Sequence, residues 1–286
     1  MKILVTGAAG RLGSVVCRRL HDAGHEVRAT DRTRDPSLPV PVIVADLTMR
    51  EVAYPLVEGM EGIIHLGNIP DAHRTDAQTT YTVNTAANIH LFQAAAESGV
   101  RRIVFASSVQ AVSGTRTLAD DVPSVLPHLP LDGAIPACPG NTYGLSKQAG
   151  EDALAFYART HQLHAVALRF PWLISRARIE HIFQRGNGTS VDPDKAAYSR
   201  PDEGLSFLAF DDAAALAEAA LLRAPAGYRC FMPAHPRGRL HGLRPGEIAR
   251  RYFPGVPHKR DLDALGSLFH LDEIEQVLGW RPGNPE

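Results

Sequence analysis

"KILVTGAAGRLG", residues 2–13, is the stretch whose reading decides the fold. A short apolar run from Ile3 to Val5 gives way to Gly7, Gly10 and Gly13 at three-residue intervals. Leu12, Val15, Val16 and Leu20 then recur at helical spacing as far as Gly24. Strand, glycine turn and helix in that order set the free N–H groups and positive dipole end of a helix beside the turn. Glycines there let the backbone turn tightly and come close to a pyrophosphate. Taken alone, such glycines mark no more than a tight turn; what points to a dinucleotide is their place between a strand and a helix, followed by Asp31 at the end of "EVRATD" (26–31). An acidic side chain at that position accepts both ribose hydroxyls of NAD and repels the 2′-phosphate of NADP. NAD is therefore expected over NADP, although Arg32 and Arg34 stand near enough in sequence to attract a phosphate.

Working outward, "PVIVADL" (41–47), "GIIHLG" (62–67), "RRIVFASS" (101–108) and "HAVALRF" (164–170) read as further strands. Residues 79–98 read as a long helix stopped by Gly99, and another helix opens at Tyr143. Continuous apolar strands alternating with helices predict a parallel sheet covered on both faces, an α/β Rossmann-type doubly wound fold. Past Pro171 the pattern weakens. "LSFLAF" (205–210) and "GYRCFMPA" (227–234) suggest strands, "DDAAALAEAALLRA" (211–224) a strong helix, and the closing segments short helices. The expected division is a nucleotide-binding body over residues 1–172, to which later segments return, and a smaller substrate-binding lobe drawn mainly from 173–286.

The bulk composition excludes other classes. A formal net charge of -1 over 286 residues favours neither nucleic acid nor a membrane surface as partner. No apolar run approaches the roughly 18 residues that span a bilayer. The opening residues read as a strand and not as a leader. Three scattered cysteines suggest neither a disulfide framework nor a zinc site and fit a reducing cytoplasm. The 13 histidines show no metal-ligand spacing, so no metal is expected.

In "NTYGLSKQAGED" (141–152), Tyr143 and Lys147 fall one helical turn apart and share a face. Such a pair arises often by chance, and its company is what gives it weight. The GxxGxxG turn, Asp31, "ADL" (45–47), "HLG" (65–67), Asn84, "ASS" (106–108) and "YGLSK" (143–147) occur in the order found in extended short-chain dehydrogenases/reductases, the group of NAD-dependent epimerases/dehydratases, which the chain resembles over about residues 1–172. The resemblance implies roles position by position. Tyr143 would be the general acid/base, Lys147 its cationic partner and holder of the nicotinamide ribose, and Ser108 the donor that orients the reacting oxygen, with Ser107 beside it. Gly7, Gly10, Arg11, Leu12 and Gly13 would hold the pyrophosphate and Asp31 the adenine ribose. Asp46 and Leu47 would flank the adenine, Leu66 and Gly67 the middle of the cofactor, and Phe170 and Pro171 its nicotinamide end. Asn84 would be a structural or cofactor contact. The 79–98 helix and the Tyr143 helix would form a homodimer interface. An unperturbed tyrosine has a pKa of about 10 and needs a nearby positive charge to act as a base near neutrality.

Departures narrow the expected reaction. Val109 and Gln110 follow Ser108 where dehydrating relatives carry an acidic pair, so elimination of water is not expected. The proline-rich stretch "DDVPSVLPHLPLDGAIPACPG" reads as a surface excursion near the cleft. Arg176, Arg178, Arg185 and Arg200 are candidates for binding a phosphate or a sugar carboxylate. His181 is a candidate second acid/base; His161 and His164 bracket a turn, and Cys138 lacks a paired histidine. The first reading is NAD-dependent oxidation of a hydroxyl on a sugar or sugar acid, uronate-dehydrogenase-like. The alternatives are a nucleotide-sugar epimerase with transient hydride transfer and a non-catalytic NAD(P)-sensing protein.

Overall fold

The computed structural model describes residues 1–71, 73–112, 126–185, 206–236 and 243–283, with the side chains of 181–185 excepted. The strand Lys2–Thr6 (β1) lies between Glu26–Asp31 (β2) and Gly62–His65 (β4). Val42–Val44 (β3) pairs outside β2, and Arg102–Ser108 (β5), His164–Phe170 (β6) and Gly227–Phe231 (β9) extend the other side. The result is a seven-stranded parallel sheet in the order β3-β2-β1-β4-β5-β6-β9. Strand order reverses between β1 and β4, and the crevice outside the carboxyl ends at such a reversal is where open α/β sheets bind ligands.

Alternation along each strand feeds two helical layers. Ile3, Val5, Ile64, Val104, Val166 and Leu168 join the core beneath Arg11–Asp22 (α1), Phe210–Arg223 (α6) and Leu271–Leu278 (α8). Leu4, Ile63, Ile103, Phe105, Ala165 and Ala167 face the opposite way, toward Arg50–Val57 (α2), Ala77–Glu97 (α3) and Thr142–His161 (α4). Complete burial of a Leu, Ile or Phe side chain is worth about 1.5–3 kcal/mol each, which locks the register of both faces. Side chains cap the two long helices of the second layer: Asp76 accepts the N–H of Thr79, and Asn141 that of Gly144.

Three elements differ from the sequence-based expectation. β3 is confined to Val42–Val44 because it is an edge strand, with Ile43 and Val44 about half exposed. The strand read over 205–210 is confined, among the described residues, to Phe207–Ala209 (β8), which pairs with Trp172–Ile174 (β7) in a separate two-stranded sheet. The proline-rich segment is no surface excursion where it is described. Leu126, Leu129, Leu131 and Ile135 are buried in a third cluster with Met232, Ile248, Phe253, Leu268 and Phe269, around Pro245–Tyr252 (α7). Isolated parallel bridges, Leu129 to His258 and Leu131 to Phe269, fasten it there. Residues 120–125 of that segment, with 113–119 before it, fall outside the described residues. Arg176–Arg185 (α5) follows β7.

Candidate active site

The carboxyl ends of β1, β2, β4, β5 and β6 open into a cleft of about 1320 Å³. Its floor is the glycine turn. Gly7 takes a left-handed φ of 68°, and a Cβ on Gly13 would lie 2.0 Å from the Gly7 carbonyl oxygen, so only hydrogen fits where α1 crosses the turn. Gly10, the residue before α1, offers no side-chain cap, so the N–H groups of the first turn are left facing a cavity that Gly10, Arg11, Leu12 and Gly13 line. Such a cradle accepts an anion. At the tip of β2, Asp31 accepts the N–H of Ala9 at 3.0 Å through Oδ2 and that of Arg32 at 2.6 Å through Oδ1. Each carboxylate oxygen has a second lone pair, which suits a vicinal diol. Asp46 accepts both the N–H and the hydroxyl of Thr48, bonds that hold its carboxyl below the usual carboxylate range.

Across the cleft, β5 and α4 meet. A Cβ on Gly144 would lie 2.1 Å from the Gln110 carbonyl oxygen, so a glycine is needed for α4 to begin against the turn that follows Ser108. This contact brings Ser108, Tyr143 and Lys147 to one wall. Ser108 Oγ accepts the N–H of Gln110 at 3.2 Å, which leaves its proton to donate. Lys147 Nζ is 5.6 Å from the centre of the Tyr143 ring and 5.0 Å from that of Phe105. It donates to Asn68 Oδ1 and to the Ala106 carbonyl, each at 2.8 Å. Burial pushes the lysine down to about 7, against the opposing pull of Glu151.

Behind this wall lies a buried ion pair. Arg169 donates Nε–H to Glu151 Oε1 at 2.9 Å, Nη2–H to Oε2 at 2.8 Å, and Nη1–H to the Ile135 carbonyl at 2.6 Å. Ser107 Oγ donates to Glu151 Oε1 at 2.5 Å. Burial alone would lower the affinity of Arg169 for its proton, but the hydrogen bonds and charge of Glu151 more than offset it, and the net direction is upward.

The cleft is lined by every residue that the resemblance assigned to the cofactor or to the catalytic group except Asn84. Asn84 is fully buried behind it, taking the N–H of Ile69 at 2.7 Å and donating to the Ile69 carbonyl and Ser146. It shapes the loop after β4 and does not reach the cavity. Ser107 lines the cleft with its hydroxyl committed to Glu151, because that buried carboxylate needs donors. Of the candidate arginines, Arg176 is held by Asp211 at 3.5 Å and Asp212 at 2.9 Å, and Arg178 is exposed outside the cavity. Arg200 and the side chains of Arg185 and His181 lie outside the described residues. His161 bonds Thr160, His164 bonds the Ala224 carbonyl, and exposed Cys138 stands off the lining. The sequence reading missed Asn68, Asp71, His73, Arg74 and Gln110, all on the cleft wall. For the first four, the available signal was position: they follow the carboxyl end of a strand at the sheet's switch point.

Comparison with known proteins agrees with this geometry. The family described as NAD dependent epimerase/dehydratase matches residues 3–187. A uronate dehydrogenase of Pseudomonas putida is 33% identical over 173 residues, 59% of this chain and 59% of the relative's own length. The chain thus aligns with less than two thirds of that curated relative. Among solved structures, a short-chain dehydrogenase/reductase superfamily protein from Agrobacterium tumefaciens with bound NAD superposes with a TM-score of 0.67 at 23% identity, covering 99% of this chain and 93% of that one. A UDP-galactose 4-epimerase superposes with a TM-score of 0.67 at 22% identity, over 99% and 94%. Both share the fold.

Proposed function

The chain belongs to the NAD dependent epimerase/dehydratase family, and from that premise we propose that it is an NAD-dependent oxidoreductase that oxidises a hydroxyl of a sugar or sugar acid. The observation that carries the reading is the meeting of Ser108, Tyr143 and Lys147 on one wall of a cleft whose opposite end is the glycine cradle. The cradle and the N-terminus of α1 would hold the pyrophosphate, Asp31 the adenine ribose, Asp46 and Leu47 the adenine, and Leu66 and Gly67 the central part. Lys147 would hold the nicotinamide ribose, and Phe170 and Pro171 the ring. When bound, the cofactor supplies acceptance of a hydride from the carbinol carbon.

The chain's own residues handle the proton. Ser108 donates to the substrate oxygen and fixes it within reach of Tyr143. The tyrosine, as phenolate, takes the hydroxyl proton, and the adjacent Lys147 charge favours that phenolate. Phe170 at the ring end would keep water from the reacting face. The carboxylate of Asp31 favours NAD over NADP. Uronates are the preferred substrate class, in keeping with the P. putida relative. The lobe around the third cluster is the proposed substrate-binding part. A homodimer through α3 and α4, whose outer surfaces expose Ile89, Leu145 and Phe156, belongs to the same proposal. So does a cytoplasmic location, with which three unpaired cysteines agree.

The test is a panel of uronates, aldoses and nucleotide sugars supplied with NAD. The expected result is NADH formed in proportion to a sugar or sugar acid consumed, with Tyr143→Phe reducing turnover roughly 10²–10⁴-fold. Interconversion of a nucleotide sugar without net NADH would replace the reading with epimerisation. NAD binding without turnover of any sugar would replace it with sensing.

A further inference from the structure

We infer that Asn68 is a positioning residue for Lys147, held in one orientation by a buried chain through Asn88, His65 and Thr6, and that this chain governs whether the lysine carries its charge. The inference deepens the proposed function, since it rests on Lys147 as the partner of Tyr143.

The direction of each hydrogen bond follows from donor counting. Thr6 Oγ1 accepts the N–H of Gly67 at 3.1 Å and shares that of Leu66 with the Thr6 carbonyl, each at 3.2 Å. Its proton goes to His65 Nδ1, 2.6 Å away, the direction that agrees with an Asn68 oxygen turned to the Lys147 ammonium. His65 then carries its own proton on Nε2 and gives it to Asn88 Oδ1 at 2.9 Å. The same oxygen receives Nδ2–H of Asn68, also at 2.9 Å. With its nitrogen turned to Asn88, Asn68 has only its oxygen to show Lys147, and that oxygen takes an Nζ proton at 2.8 Å. Rotating the Asn68 amide would set an NH₂ group against an ammonium.

Two observations mark this as more than ordinary packing. Asn88 Nδ2 is buried and has no hydrogen-bond partner among the described residues, so Asn88 leaves its own donor unsatisfied while its oxygen serves two others. Burial lowers His65 to about 3, with Lys147 adding to the effect, so the ring stays neutral and the bond directions hold. The chain ends at Thr6, immediately before the glycine cradle, and so links the phosphate end of the cleft with the catalytic end.

Lys147 has three protons as an ammonium. Asn68 and the Ala106 carbonyl take two, which leaves one for the cleft. As a neutral amine it would spend both protons on those acceptors and show the cleft a lone pair. Neutral oxygens thus help hold the cation in a buried place, beside the pull of Glu151. The other groups bearing on it are Tyr143 and Glu151 on its own helix, neutral His65 on β4 and the Phe105 ring on β5. Arg169 offsets the Glu151 charge through two bonds.

The experiment follows the Lys147 ionisation directly, by nuclear magnetic resonance of intact protein carrying isotope-labelled lysine. Lys147→Arg assigns the resonance. Asn68→Ala removes an acceptor of the ammonium and should move the midpoint to lower pH. Asn68→Asp places a carboxylate there and should move it to higher pH. Each shift is expected to be about one unit, tenfold in the ionisation ratio. Asn88→Ala, which frees Asn68 to rotate, should move it the same way as Asn68→Ala. Midpoints that stay in place in both Asn68 variants, or that move in the same direction, would overturn the inference. No substrate is needed, so a failure of the proposed oxidation and a failure of this network are told apart.

Discussion

Ser107 and Ser108 are neighbours on β5 with opposite commitments. The first gives its proton to a buried carboxylate, and the second keeps its proton for the cleft. Replacing Ser108 by Ala should therefore reduce turnover by roughly 10²-fold, as removal of one oriented donor does. NAD affinity, read by calorimetry, should be unchanged. A loss of NAD binding instead would mean that Ser108 serves the cofactor. Single residues were legible in the sequence where a motif is local: Tyr143 and Lys147, one helical turn apart, line the cleft together with Ser108, which the family resemblance placed there. Asn68 was not legible, because its partner Lys147 is far along the chain and a contact across the sheet leaves no spacing to read. Asn84 was legible as a structural or cofactor contact, and its amide serves the first of these, folding the Ile69 loop.

Among elements, α4 depends most on a few contacts. Asn141 caps it and also donates to the Gln110 side chain at 2.9 Å, and Glu151 ties its middle to β6. Glu151→Leu would leave Arg169 buried without its carboxylate, and breaking such a pair costs about 3–5 kcal/mol. The double change Glu151→Leu with Arg169→Met should recover much of that loss. Thermal or urea unfolding of the three proteins checks this. If the single and double variants were equally destabilised, the pair would not be what holds the elements. The strands of the sheet were readable because alternation and apolar runs are local properties. The third cluster was hidden because its contributors are isolated apolar residues among prolines. Their pairing partners, His258 and Phe269, come from another part of the chain.

For the whole molecule, two buried bases contribute to the response to pH, beside carboxylates such as Asp46 and Asp272 that are held below their usual range. His65 titrates at about 3 in the folded protein and near 6.5 when unfolded. Between those values the unfolded chain binds the extra proton, so stability falls as pH drops from 6.5 to 3, by up to roughly 5 kcal/mol. Lys147 acts in the same direction higher up. Its folded value of about 7 lies below its unfolded 10.5, so stability rises with pH across that window. Denaturant unfolding at a series of pH values should show both slopes, and His65→Gln should flatten the acidic one. An acidic slope unaffected by that change would assign the loss to other groups.

The bond from Arg169 to the Ile135 carbonyl adds a third party to the Glu151 pair. One guanidinium thereby gathers the strand leading to Phe170, the helix bearing Tyr143 and the proline-rich segment anchored in the third cluster. This is an ionic knot with three cords. Any displacement that draws residues 126–135 outward must either pull the tyrosine's helix along or sever a charged bond in a dry interior. Movement of that segment is therefore transmitted mechanically to the helix that carries Tyr143, and the third cluster and the cleft wall cannot relax independently.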